Sequence, residues 1–366
     1  MANQAMLIYV GTYTRSLPHV AAKSEGIYLI SLDPATGALA HVHKTTGVDN
    51  PSYLVLHPDG RHLYAVNEVG DYQDRDSGAV SAFAIDEESG ALTFLNKEPT
   101  NGAAPCHVTV DATGRYVLCA NYSGGSVSMH PINSDGSLGR LSDFVQHVGK
   151  SVNPQRQQEP HAHSINIDKS NRFAFACDLG KDQVLIYELE LDQGKLIPNE
   201  PAYGETHKGA GPRHFAFHPN GKIAYVINEL DSTITVFRFT DITGGLDAIQ
   251  TISTLPKGFE GRSHCADIHV HPTGKFVYGS NRGHDSIAVF SVDQTSGKLT
   301  ATGHTGTGGK VPRNFVIDPS GSFLLAANQN TDNVVVFRIN LATGQLTPTG
   351  YELTVPTPVC LKFWRR

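Results

Sequence analysis

Residues 211–237 read GPRHFAFHPNGKIAYVINELDSTITVF, and the pattern of this stretch recurs along the chain. An apolar run leads into a turn with Pro and Gly, a second apolar run follows, and Asn closes it. Gly221 marks the turn, Asn228 stands seven residues later, and a β-branched segment begins near Ile234. Short apolar runs separated by Gly, Pro and Asn are typical of β-strands joined by tight turns.

The offset of seven residues is kept in six copies of the pattern. The turn residues are Gly60, Gly114, Asn171, Gly221, Gly274 and Gly321. The residues seven positions later are Asn67, Asn121, Asp178, Asn228, Asn281 and Asn328. Each copy later contains a turn glycine before a leucine, taken as Gly90, Gly136, Gly194, Gly245, Gly297 and Gly344. Repeats of this length with about four short strands are typical of propeller blades.

The first copy lacks an opening strand, whereas the C-terminus has an opening strand with nothing after it. Residues 358–364 should therefore pair with the strand at residues 7–12 and close the ring. The sequence predicts an all-β, seven-bladed β-propeller with four antiparallel strands per blade, and residues 1–366 as a single domain.

Composition excludes several classes of protein. The chain has 366 residues, and 29 Lys and Arg against 35 Asp and Glu give a net charge of −6, which argues against nucleic-acid binding. No signal peptide and no membrane span is expected. The five cysteines are an odd number and too few for a disulfide scaffold, so we expect free thiols and a cytoplasmic protein.

Two columns of residues should ring one mouth of the central channel. The first column, on the innermost strands, is Ser52, Cys106, His163, Arg213, Ala266, Arg313 and Val359. The second column consists of the residue that follows the closing Asn or Asp of each copy, with Thr12 at the equivalent position of the first copy. Its members are Thr12, Glu68, Tyr122, Leu179, Glu229, Arg282 and Gln329. The guanidinium fork suits carboxylate and phosphate, so three arginines at one opening indicate an anionic ligand. Glu68 and Arg313 could equally be a structural ion pair.

Other motifs carry less weight. His161 and His163 form one of three His-x-His pairs, but no further ligands complete a metal site. There is neither a phosphate loop nor a Gly-x-Ser-x-Gly nucleophile elbow. Loops 69–78, 146–162 and 256–264 should cover the same face as the two columns and supply walls of a pocket.

The segments YVGTYT, GAGPRHFAFHPNGKIAYVINEL, PHAHSINID and SNRGHDSIAVF resemble the β-propeller 6-phosphogluconolactonases, a family grouped with the fungal carboxy-muconate cyclases. The resemblance implies hydrolysis of 6-phospho-D-glucono-1,5-lactone in the pentose phosphate pathway, with no metal and no organic cofactor. It implies a catalytic set of His163, Arg213, Glu229 and Arg282, with His161 as an alternative to His163.

From these observations we expect one arginine to stabilise an oxyanion and Glu229 or His163 to deprotonate water. Substrate contacts are expected from His161, Glu68, Arg313, His214 and Gln329. The expected partner is a small anionic sugar lactone, with the protein a monomer or weak homo-oligomer. The alternatives are another anionic-lactone lactonase or muconate-type cyclase, a calcium-dependent lactonase, and a propeller that binds a metabolite or protein without catalysis.

Overall fold

The computed structural model describes residues 5–364, which form strands β1–β28 and one short 3₁₀ turn, Tyr72–Asp74. The strands of the first half are β1 Met6–Thr12, β2 Gly26–Leu32, β3 Leu39–Thr46, β4 Leu54–Leu56, β5 His62–Asn67, β6 Ala79–Ile85, β7 Leu92–Pro99, β8 Pro105–Val110, β9 Tyr116–Asn121, β10 Ser126–Pro131, β11 Asp143–Gln146, β12 Ala162–Ile167, β13 Phe173–Asp178 and β14 Gln183–Glu190. Those of the second half are β15 Lys195–Glu205, β16 Pro212–Phe217, β17 Ile223–Asn228, β18 Thr233–Thr240, β19 Gly245–Ser253, β20 His264–Val270, β21 Phe276–Arg282, β22 Ser286–Val292, β23 Leu299–Gly306, β24 Pro312–Ile317, β25 Phe323–Asn328, β26 Asn333–Ile339, β27 Leu346–Thr354 and β28 Pro358–Trp364. In this part of the chain no helix is long and apolar enough to cross a membrane.

The strands form seven four-stranded antiparallel sheets, which confirms the predicted propeller. Six sheets are continuous in sequence, and the seventh has the order β28-β1-β2-β3. In that sheet Leu7 pairs with Trp364 and Val10 with Leu361. We number this sheet blade 1, and blades 2 to 7 follow along the chain from β4. The ring is closed as predicted, because the last described strand is the innermost strand of blade 1.

The second strand of each blade is buried on both faces, which explains why its sequence is apolar without alternation. In β17, for example, all six residues from Ile223 to Asn228 are buried. Each of these strands packs against a neighbouring blade on either face of its sheet. The hydrophobic clusters accordingly join residues of adjacent sheets. Apolar burial between blades is thus the main stabilising contribution to the ring.

A recurring backbone conformation and a recurring hydrogen bond explain why the same residue types return in each blade. The turn position of the repeat has a left-handed backbone, with φ 69° at Gly221 and φ 60° at Asn171, so Gly or Asn is favoured there. Tyrosine hydroxyls also join one blade to the next by donating to the glycine before the leucine of that blade. An example is the bond from Tyr64 OH to Gly136 O at 3.0 Å. In blade 5 the turn glycine with positive φ is Gly244 rather than the predicted Gly245.

Candidate active site

Bulges in the innermost strands position the first column of residues. In β12, Ala162 pairs with Asp178 and Ser164 with the adjacent Cys177, so His163 is an extra residue. The same irregularity falls at the first-column position of other innermost strands, namely Val359, Cys106, Arg213 and Arg313. A bulge redirects the side chain of its extra residue. Here it explains why polar side chains of these strands reach the channel mouth.

Glu229, directly after β17, is a buried carboxylate at the centre of a cluster of arginines. Its Oε1 accepts a hydrogen bond from Arg156 Nη2 at 2.7 Å. Its Oε2 accepts from Arg213 Nε at 2.9 Å and lies 2.9 Å from Arg282 Nη2. Burial by itself would raise the pKa of Glu229, but the arginines, Arg282 foremost, hold that pKa well below its usual value. The Glu229 carboxylate is therefore a fixed anion that orients three guanidinium groups.

Arg213 and Arg282 are also tied to the backbone. Arg213 Nη1 donates to Ala266 O at 2.6 Å, and Arg282 Nη2 donates to Cys265 O at 2.8 Å. Arg282 Nε is buried without an acceptor among the described residues. Burial, together with the charges of Arg213 and Arg313, lowers the pKa of Arg282 to about 10, although Glu229 opposes this. Arg282 stays protonated at neutral pH and keeps an unused donor.

His214 links Arg213 to the carboxylate of Asp267. Its Nδ1 lies 2.7 Å from Asp267 Oδ1, and its Nε2 lies 3.1 Å from Arg213 Nη1. Because Arg213 can only donate, His214 Nε2 must accept, which requires a neutral imidazole. Burial and the charge of Arg213 lower the pKa of His214 to about 4, in agreement with this state. His214 thus positions Arg213.

His163 lies beside this cluster, and one of its ring nitrogens bonds no residue in the described part of the chain. Its Nδ1 is 3.6 Å from Cys106 Sγ, whereas its Nε2 is 4.0 Å from Glu229 Oε2, too far for a hydrogen bond. Burial and the nearby charge of Arg213 keep the pKa of His163 well below its usual value. His163 is therefore a neutral imidazole.

Glu68 and Arg313 form the other side of the site without bonding to each other. Glu68 Oε2 accepts from Tyr13 OH at 2.9 Å and from Ser52 Oγ at 2.5 Å. The Arg313 guanidinium lies over the ring of Tyr13, 5.6 Å from its centre. Within residues 5–364 no hydrogen bond or ion pair joins Arg313 to another side chain or to the backbone. Arg313 is a half-buried cation at the cavity, and its donors remain available for a ligand.

These side chains surround a cavity of about 260 Å³ at one mouth of the channel. Seven members of the two predicted columns line it: Glu68, Cys106, Tyr122, His163, Glu229, Arg282 and Arg313. Arg213 lies directly beneath, in a smaller space that shares Glu68, His163 and Arg313. The structure thus brings all four residues of the expected catalytic set together around Glu229.

Three expected substrate contacts lie elsewhere. His161 stacks on Tyr122, with ring centres 4.7 Å apart, and is not among the residues that line the cavity. Gln329 borders a separate depression formed with residues 16–23. His214 borders the smaller space beneath the cavity and a separate pocket that it shares with His107 and Lys362. Of these two histidines, His163 lines the cavity and His161 does not.

The sequence reasoning named no role for three residues that line the cavity: His19, Arg156 and His264. Arg156 and His264 come from loops 146–162 and 256–264, which were predicted to form walls, and none of the lining residues comes from loop 69–78. Arg156 donates to Glu229 and, at 2.9 Å, to Tyr122 OH. A lone arginine in a long loop gives no signal of such a contact, since only the folded loop decides where it points.

One grouping with metal-ligand spacing exists in the described residues, and it lies away from this cavity. It consists of His57, Asp59 and His62. His57 Nε2 donates to Gly114 O at 2.9 Å, and Asp59 N donates to His57 Nδ1 at 3.1 Å. The same imidazole-to-glycine bond occurs at His218 and Gly274, so it is a recurrent link between blades.

Comparison with known proteins agrees with this architecture. A family model described as "Lactonase, 7-bladed beta-propeller" matches residues 7–363. A 6-phosphogluconolactonase of Bacillus subtilis is 41% identical over 355 residues, which cover 97% of each chain. A 6-phosphogluconolactonase of Formosa agariphila is 34% identical over 85% of this chain and 86% of its own. The solved structure of a periplasmic gluconolactonase of Pseudomonas aeruginosa superposes with a TM-score of 0.91 at 33% identity, covering 99% of both chains. The chain belongs to the seven-bladed β-propeller lactonase family and is a lactone-hydrolysing enzyme.

Proposed function

We propose that this protein hydrolyses 6-phospho-D-glucono-1,5-lactone to 6-phosphogluconate, without a metal ion, at the cavity around Glu229. The observation that carries this is Arg313, a half-buried cavity residue whose donors bond no other described residue, close to the arginine cluster of Glu229. Four arginines and two glutamates border the two connected spaces, which favours an anionic ligand. The names of the Bacillus and Formosa relatives support the same substrate.

In this proposal Arg282 acts on the lactone carbonyl. Water adds to C1, negative charge develops on the carbonyl oxygen, and the bond from C1 to the ring oxygen then breaks. The Arg282 guanidinium lines the cavity and would donate a hydrogen bond to that oxyanion. Glu229 holds the guanidinium in place, and the neutral His163 Nε2 is free to bond the substrate or water.

The direct test is proton release from freshly prepared 6-phospho-D-glucono-1,5-lactone, measured against the uncatalysed background. We expect acceleration that a chelator does not diminish. Arg282→Gln should lower kcat about 10²-fold, the effect of losing one oxyanion donor. A rate equal to background for folded wild type would reject the proposal, and inactivation by the chelator would reject its metal independence.

Arg313 is assigned to the phosphate group, and this assignment has its own test. Arg313→Gln should raise KM for the phosphorylated lactone at least about 10-fold, since a charge-assisted hydrogen bond contributes about 1.5–3 kcal/mol. The same variant should leave KM for unphosphorylated D-glucono-1,5-lactone within about twofold. Equal losses for both substrates would show that Arg313 does not contact the phosphate.

Unphosphorylated gluconolactone is the second candidate substrate, because the Pseudomonas relative is named a gluconolactonase. The two substrates differ by the phosphate alone, so their kcat/KM values in wild type decide between them. A higher value without phosphate would make gluconolactone the substrate and leave Arg313 without its assigned role.

We also propose that the enzyme works in a reducing compartment such as the cytoplasm. All five cysteines are buried and unpaired. Unpaired thiols are typical of reducing compartments. Fractionation of the native host should recover the activity with cytoplasmic markers, whereas recovery with exported proteins would contradict this.

A further inference from the structure

Two glutamates line the same cavity in opposite environments. Glu229 is held by guanidinium groups, whereas Glu68 is held by two neutral hydroxyls. Paired carboxyl groups whose surroundings separate their proton affinities commonly have different tasks in a reaction. The contrast therefore bears on which group of the cavity exchanges a proton with the substrate.

Glu229 is a poor proton acceptor. Both of its oxygens are occupied, Oε1 by Arg156 and Oε2 by Arg213 and Arg282. Taking up a proton would remove the charge that these three arginines share. The depressed pKa described above expresses the same cost.

His163 is also a poor acceptor, because protonation would place a fourth cation beside the arginines. Its pKa is lowered first by burial and then by Arg213 and His214. An imidazole in that position can bond water or substrate through Nε2 but gains little by becoming charged.

Glu68 has the opposite properties. Tyr13 and Ser52 occupy Oε2, while Oε1 bonds no described residue, and the side chain borders both the cavity and the smaller space below it. Arg313 is near, but it forms no ion pair with Glu68 within 4 Å. Burial raises the pKa of Glu68, although Arg313, Ser52, Tyr13 and Arg213 all act to lower it.

We propose that Glu68 is the general base of the lactonase reaction, in place of Glu229 or His163. This rests on the proposed function. Glu68 Oε1 removes a proton from water as the water oxygen bonds to C1. When the bond from C1 to the ring oxygen breaks, the same proton passes from Glu68 to that ring oxygen, which becomes a hydroxyl. That transfer returns Glu68 to its ionised state, and the new carboxylic acid then loses its proton to solvent.

The first test is the pH dependence of kcat in wild type and in Glu68→Gln. Gln is isosteric and can still accept from Tyr13 and Ser52, so the fold should be kept. We expect wild-type kcat to fall on the acid side, and the variant to lose about 10²–10⁴-fold in kcat with KM little changed. Its residual activity should lack that acid-side fall.

The second test shifts the titration without removing Glu68. The Ser52 hydroxyl stabilises the carboxylate and lowers its pKa. Ser52→Ala should therefore move the acid-side fall in kcat to higher pH. The substrate phosphate also titrates, near pH 6. The phosphate titrates in the same way with wild type and with Ser52→Ala. A difference in the pH of the acid-side fall between these two proteins therefore assigns that fall to Glu68.

The outcomes separate the two hypotheses. Suppose that wild type is active. If kcat of Glu68→Gln is then within about threefold of the wild-type value, or if the pH profile of kcat in Ser52→Ala is unshifted, the role of Glu68 is overturned and the lactonase function stands. Absence of activity on any lactone in folded wild type would instead overturn the proposed function. The surface variant Glu25→Gln, whose carboxylate pairs with Lys44 away from the cavity, should match wild type in every assay and serves as the control.

Discussion

Replacing Glu229 by Gln should lower kcat roughly 10³-fold or more and destabilise the fold by about 3–5 kcal/mol. The Glu229 carboxylate orients Arg213 and Arg282 together, so its loss misplaces two guanidinium groups at once. It also leaves buried cations without their counter-ion, and Arg213 is only 2% exposed. Steady-state kinetics on the lactone and unfolding in urea measure the two effects.

The stability difference should depend on pH in a defined direction. The folded pKa of Glu229 lies well below its usual value, so the stabilisation is complete above the unfolded pKa of about 4.3. It is lost as pH falls toward the folded pKa, and the gap between wild type and Glu229→Gln should therefore narrow in acid. A gap that stays constant down to low pH would show that the arginines do not depend on this charge.

Leu361→Ala should destabilise the protein by about 2–5 kcal/mol, the usual cost of truncating a buried leucine. Leu361 is 1% exposed and lies in the cluster shared by blades 1 and 7. Its amide also donates to Asn314 Oδ1 of blade 7 at 2.8 Å. The mutation therefore weakens the contact by which the C-terminal strand closes the ring, and the urea midpoint should fall.

Leu341→Ala is the matched control for this prediction. The chemical change is the same, but Leu341 is 55% exposed in a turn of blade 7. Its unfolding midpoint should stay close to that of wild type. Similar losses for both variants would mean that closure of the ring does not limit stability.

The architecture was predictable because the blades repeat the same local requirements. A left-handed turn position, a strand buried on both faces and a turn glycine each restrict residue type, and each recurs at a regular offset. The unmatched strands at the two ends of the chain then predicted the closure that β28 and β1 form. Gly245 was misassigned because Gly244 stands next to it, and only the backbone conformation distinguishes them.

The site was predictable in part. The alignment of repeats placed Glu68, His163, Arg213, Glu229 and Arg282 at one channel mouth, since equivalent strand positions converge on the axis of a propeller. The direction of His214 was not predictable, because neighbouring residues of a strand point to different sides. His161 and Gln329 lie just outside β12 and β25, where the loop conformation decides the direction of the side chain. The bulge at His163 decides that it, and not His161, faces the cavity.

The sequence by itself determined the number of blades, the strand that closes the ring and the concentration of arginine and glutamate at one opening. These are periodic properties, and a period can be read without knowing any distance. Only the tertiary structure decided which charges neutralise each other. It pairs Glu229 with three arginines, one from a loop, and leaves Glu68 with neutral partners. Arg313 lies over the Tyr13 ring and has no hydrogen bond or ion pair among the described residues. The physical reason is that hydrogen bonds and proton affinities depend on differences of about an ångström between side chains on separate blades, which no spacing along the chain specifies.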